Sequence, residues 1–178
     1  MSVTIAEYIA SQKDRFEKLQ NGEALEIAVR DTHAKQVQRI FVDGKNSDDS
    51  QIGKYNTTDP IYVNPGKAPK NTPVRGKYGQ STFSNGNKHK TSYFESYSEF
   101  RQEQGREATF VNLNLFGNLR SAWANGLFKV SEREWVVAIP FSEYVKVEGN
   151  EERFGGKISA LTKEEHNNFI EVIQEESK

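Results

Sequence analysis

The stretch Asn112–Trp123, NLNLFGNLRSAW, changes period at its middle. Leu113 and Leu115 alternate with asparagines, the two-residue repeat of a half-buried strand, whereas Leu119 and Trp123 lie four apart, the repeat of a helix face. Gly117 separates the two patterns and supplies the backbone freedom to leave a strand and begin a helix at once. The pattern predicts a strand over 110–115 and a short helix through Trp123. Leu113, Leu115, Leu119 and Trp123 are expected as core residues of that sheet–helix unit.

Working outward, Asn125-Gly126 marks a turn. Leu127–Val130 and Trp135–Ile139 read as strands of an antiparallel hairpin, and Pro140 ends the second. Phe141–Val147 is expected as a short helix with Phe141, Tyr144 and Val145 inward, followed by a polar turn containing Gly149, Gly155 and Gly156. The last helix opens with a capping box, Thr162 and Glu165, and shows Phe169, Ile170 and Ile173 as its apolar side. Upstream, Tyr93, Tyr97 and Phe100 have helical spacing, with Gly105 as a stop.

The N-terminal part predicts two helices. The first follows a capping box at Thr4 and Glu7 and carries Ile5, Tyr8, Ile9, Phe16 and Leu19 near one face. Asn21-Gly22 stops it. The second runs from about Glu23 to Phe41, with Leu25, Ala28, Val29, Val37, Ile40 and Phe41 as its stripe.

Between these parts the texture changes. From Asp43 to about Lys90 the chain is dominated by Gly, Asn, Pro, Ser, Thr and Lys, and no helix could persist there. Composition alone is as compatible with disorder as with an extended arm ordered against a partner. Ile61–Val63 and 77–83 are the strand candidates within it. The organisation expected is one domain: N-terminal helices over 1–42, an extended arm or long hairpin over 43–92, and an α+β core over 93–178. The fold class is α+β, a small and mostly antiparallel sheet flanked by N-terminal, middle and C-terminal helices.

Composition limits function. The chain has 178 residues, an apolar fraction of 35%, a net charge of −1 and no cysteine. Bulk charge predicts neither a nucleic-acid nor a membrane partner. Absence of cysteine removes thiol nucleophiles, disulfides and thiolate metal sites together. The N-terminus lacks the pattern of a secretory signal, and no window approaches the ~20 apolar residues of a spanning helix. His33, His89 and His166 form no metal-ligand spacing and read as surface or packing residues. Asp43, Asn46, Asp48 and Asp49 fail the calcium-loop pattern, since Asp48 stands where glycine and Lys54 where glutamate would be needed. No phosphate loop or nucleophile elbow appears. No catalytic residue, metal site or cofactor is expected.

Charge distribution is more informative. From Gly66 to Lys90 the chain carries Lys67, Lys70, Arg75, Lys77, Lys88, His89 and Lys90, no acidic residue, and the interleaved aromatics Tyr78 and Phe83. Such a strip suits nucleic-acid phosphates, an acidic protein surface, or simply a solvated loop. The C-terminal segment has the opposite sign, with Glu164, Glu165, Glu171, Glu175 and Glu176. A basic arm and an acidic end on one chain suit head-to-tail contacts between copies.

Leu113-Asn114-Leu115-Phe116-Gly117-Asn118-Leu119 resembles a Leu-x-Leu-x-Gly-x-Leu pattern of the tail-completion, or head–tail connector (neck), proteins of tailed bacteriophages. In that family the pattern follows a helical region and leads into a short helix, where Ser121 matches a frequent serine, then a β-hairpin, an aromatic segment with a polar turn, and a capped terminal helix. The resemblance covers about Tyr93–Lys178. It implies a structural virion protein without enzyme activity, assembling as a ring, commonly twelvefold, against portal or adaptor and tail proteins. Packaged double-stranded DNA would only pass through the lumen. It also implies a neighbouring protein, rather than DNA, as the contact of the basic arm.

Overall fold

The computed structural model describes residues 5–63, 79–82, 88–114 and 117–178. Its fold class is α+β, and among the described residues every strand pairs antiparallel. Among the described residues there are two small sheets instead of one: a three-stranded sheet and a two-stranded one, belonging to different parts of the chain. The chain divides into two compact units. Unit 1 combines the chain up to Ile52 with Asn112–Lys178, and unit 2 is the continuous segment Gly53–Val111.

Unit 1 begins with α1 (Ile5–Gln20) and α2 (Glu23–Phe41). Gly22, between them, has φ +76°, and a Cβ built on it would lie 2.3 Å from the Glu132 carbonyl oxygen. Only glycine meets both demands, so the Asn-Gly signal is a backbone requirement as well as a helix stop. The α2 stripe expected from the sequence is partly right: Ala28, Ile40 and Phe41 are buried, whereas Leu25, Val29 and Val37 are half-buried. The buried set also includes Thr32, His33, Gln36 and Arg39. Thr4 lies outside the described residues.

The rest of unit 1 is α4 (Asn118–Ala124), β4 (Leu127–Ser131), β5 (Glu134–Val137), α5 (Phe141–Phe154) and α6 (Lys163–Glu176). β4 and β5 form a hairpin that pairs Leu127 with Val137, Phe128 with Val136 and Lys129 with Trp135. Helix α6 packs along α2, and its Thr162–Glu165 capping box is formed in both directions. α5 is twice the length expected. Gly149 lies inside it, because one glycine costs a helix only about 1 kcal/mol, and the stop comes at Gly155, φ +74°.

The opening stretch corrects the expectation drawn from it. Residues 110–114 form no strand. Asn112 is buried and its Oδ1 accepts the amide of Asn114, while Leu113 is half-buried with φ +52°. An asparagine side chain that bonds its own backbone two residues on competes with a ladder and makes a turn. Leu115 lies outside the described residues. The second half of the stretch stands as expected: Gly117 caps α4 with φ +79°, and Leu119 and Trp123 are buried.

Unit 2 holds β1 (Ile61–Val63), β2 (Gly79–Thr82), β3 (Lys88–Phe94) and α3 (Tyr97–Glu103), with β3 central in the order β1-β3-β2. The Tyr93–Tyr97–Phe100 spacing does not lie on one helix. Tyr93 belongs to β3, and Ser96 caps α3 by accepting the Glu99 amide. Phe94 and Phe100 pack edge to face at 5.1 Å in a core with Ala108 and Val111. Arg101 is fully buried there, its Nε donating to the Glu107 carbonyl at 2.6 Å and its guanidinium lying 4.3 Å from the Tyr55 ring centroid.

Candidate assembly surface

Two sets of side chains in unit 1 invite a functional reading: a buried polar network and an exposed apolar surface. The network centres on Arg39 of α2. Its Nε donates to Glu165 Oε1 at 2.7 Å, Nη1 to the Lys45 carbonyl at 3.0 Å, and Nη2 to the Ala160 and Ile158 carbonyls at 2.9 and 3.3 Å. Glu165 spends its other oxygen on the Thr162 amide at 2.8 Å. One turn earlier, Gln36 Nε2 donates to the Ser159 carbonyl, and Gln36 Oε1 accepts from Trp123 Nε1 at 3.1 Å.

The same loop is held from the other side by Glu151 of α5. Its Oε1 accepts the Ile158 and Ser159 amides and the Ser159 hydroxyl, and its Oε2 pairs with Lys157 at 2.8 Å. Burial pushes this carboxyl up, but the Lys157 ammonium and those donors outweigh it and hold its pKa at about 2. A carboxylate so saturated is a pin for the 157–162 loop, with no acceptor placed to take a proton from a substrate. His33 is a packing residue as expected. Burial holds its imidazole below the ordinary value against the opposing hydrogen bond to the Trp123 backbone, and its Nε2 is buried without a partner among the described residues. The 43–51 turn closes on itself: Asn46 Oδ1 accepts the Asp48 amide, Asp48 Oδ1 the Ser50 amide, and Lys45 pairs with Asp49 at 2.9 Å. Among the described residues, no cluster of three or more His, Asp or Glu could hold a metal.

The second set lies open. Ile9 and Phe16 of α1 are each 61% exposed, and Leu19 is also exposed. In the hairpin, Phe128, Val130 and Val136 are exposed, while across the sheet Trp135 lies 5.1 Å beneath the Arg30 guanidinium. In α5, Phe141, Tyr144 and Val145, expected to point inward, are exposed, Phe141 by 78%. Val147 is the residue that α5 buries. The periodicity was that of an amphipathic helix, but the face turned to the core is another one.

Of the basic-arm residues expected as contacts, Lys67, Lys70, Arg75, Lys77, Tyr78 and Phe83 lie outside the described residues. Lys88 and Lys90 fall on β3, opposite Thr82 and Gln80 of β2. Of the motif residues, Leu119 and Trp123 come together in the unit 1 core, where Trp123 meets Phe41 edge to face at 6.2 Å. Arg39 and Glu165 were missed, since charged residues within helical patterns read as solvent-facing. The capping box was the one signal that Glu165 had a fixed position.

Comparison with family models, curated proteins and solved structures finds no match to the chain. Among the described residues no helix is long and apolar enough to cross a membrane.

Proposed function

We propose that the protein is a structural component of a tailed bacteriophage particle, a non-enzymatic ring subunit at the head–tail neck that joins portal or adaptor to tail and helps retain the genome. The family resemblance supplies the place in the particle. The observation that carries the assembly role is the contrast within unit 1: Arg39, Glu165 and Glu151 are closed in by hydrogen bonds, yet aromatic and aliphatic side chains on α1, the β4–β5 hairpin and α5 are left to solvent. Large apolar groups exposed along one helix face, as Ile9, Phe16 and Leu19 are on α1, are the mark of a surface meant to be covered. Quantitative mass spectrometry of gradient-purified particles tests the reading. About twelve copies per portal ring is the expected result for a closed neck ring, and absence from intact particles overturns it.

A second reading is a nucleic-acid-binding accessory protein using the basic 66–90 segment. It is favoured by Tyr62, exposed and 5.4 Å from the Tyr93 ring on the sheet whose central strand carries Lys88 and Lys90. DNA or RNA binding that weakens steeply with salt, and weakens again in Lys88→Ala/Lys90→Ala, would establish it over the first.

A further inference from the structure

The exposed face of α1 is a narrow seam. At 3.6 residues per turn, Ile9, Phe16 and Leu19 share one side of the helix, with Gln12 between them. Lys13 and Arg15 flank that seam, one on each side, and both are exposed. Glu17 and Asp14, the partners of Lys13 and Lys18 at 3.9 and 3.5 Å, lie farther round the helix. A second α1 is therefore a poor occupant, because it would bring Lys13 and Arg15 against their own copies.

The exposed face of α5 has the opposite character. Phe141, Val145, Glu148 and Glu152 fall on one side, with Tyr144 beside them. Both glutamates are exposed, and among the described residues neither has an ion pair. The spacing also matches. Three residues, about 4.5 Å of helix rise, separate Phe16 from Lys13 in one helix and Val145 from Glu148 in the other. With the helices antiparallel, Phe16 opposite Val145 sets Lys13 opposite Glu148.

Resting on the ring reading above, we infer that α1 of one copy docks antiparallel on the outer face of α5 of the next, with Phe16 against Val145 and Lys13 against Glu148. The contact is heterologous: each copy offers one surface and receives the other, so repetition gives a ring or an open chain rather than a two-fold dimer.

The absence of cysteine from the chain allows a clean test. Full-length Phe16→Cys and Val145→Cys proteins, one carrying a size tag, are mixed, oxidised mildly and run on a non-reducing gel. The mixed disulfide dimer should exceed either homodimer by about fivefold, the discrimination that one exposed opposite-charge pair provides at the top of its range. Lys13→Glu or Glu148→Lys added alone should deplete the mixed dimer, and both together should restore it. Homodimers as abundant as the mixed species, no dimer at all, or failure of the double charge exchange to restore the band overturns the contact. The particle measurement stays separate: a mixed dimer from a protein absent from virions keeps the contact and removes the neck reading.

Discussion

The two halves of α2 are held in different ways. From Thr32 to Phe41 the helix is locked to α4, α6 and the 157–162 loop by buried groups: Arg39 with four hydrogen bonds, Gln36 between Trp123 and Ser159, and Phe41 on the Trp123 ring. From Glu23 to Arg30 it meets the β4–β5 hairpin through looser means. Arg30 and Lys129 lie 5.1 and 6.0 Å from the Trp135 ring centroid, Lys129 approaches Glu26 at 3.9 Å, and Gly22 leaves no room for a Cβ beside the Glu132 carbonyl. The two tryptophans summarise the difference. Trp123 Nε1 has its acceptor, whereas Trp135 Nε1 is buried with none among the described residues. One half is specified by directional bonds, and the other by the buried methyls of Ala24 and Ala28 and by cations resting on an aromatic surface.

The comparison breaks most visibly at the locked end. Arg39→Ala leaves Glu165 buried and unpaired and should cost about 3–5 kcal/mol in chemical denaturation; a loss below 1 kcal/mol would show the network to be dispensable. Trp123→Ala removes a buried ring and orphans Gln36 Oε1, with an expected loss also of about 3–5 kcal/mol. An unchanged melting temperature would contradict its place in the core. At the loose end Gly22→Ala should cost roughly 1–3 kcal/mol, from positive φ and the carbonyl it would strike. An alanine variant as stable as the parent would mean that the hairpin shifts freely along α2.

Acid sensitivity sharpens the same contrast, because two of the titrating groups, His33 and Glu151, belong to the locked end. His33 is held below its ordinary value of 6.5, so stability is complete above that pH and falls as pH drops through the range below it. His33→Gln should flatten that first loss. Glu151 is depressed from 4.5 to about 2, so its contribution is present above pH 4.5 and disappears as pH falls toward 2. Glu151→Gln should remove that second slope in a melting series, and an unaltered slope would show that its bonds to the 157–162 loop do not form in solution. The smallest effect belongs to Lys129→Ala, roughly 0.5 kcal/mol or less for an exposed pair and a distant ring contact.

Much of this was legible in the chain. Asn21-Gly22 separated two helices, Thr162 and Glu165 opened the last one, and the hairpin followed from its apolar runs and the turn between them. These signals are local, each satisfied within a few residues. What failed was non-local or competed with a local bond. Asn112 turned an apparent strand into a loop by bonding the Asn114 amide. The Phe141–Val145 spacing gave the helix but not the direction of its apolar face, which depends on what packs against Val147. The Arg39–Glu165 pair spans 126 residues, and no window of sequence announces such a partner. The candidate surface was invisible for the same reason: an apolar residue reads as core until the rest of the fold has left it uncovered.

The interruption of unit 1 by unit 2 has a consequence in time. Arg39 leaves the ribosome 126 residues ahead of Glu165, a wait of ~6–25 s at roughly 5–20 residues per second. Unit 2, continuous in sequence, is complete in the meantime. We predict that it folds first, and that α2 stays unlocked until the final helix emerges. Nascent chains stalled before Thr162 should then show protease protection across 88–111 and cleavage within α2. Equal protection of both would mean that α2 finds its place without the helix that clamps it. If the order holds, the chain acquires its native unit 1 only once α6 has emerged, which delays any contact between copies through unit 1 until then.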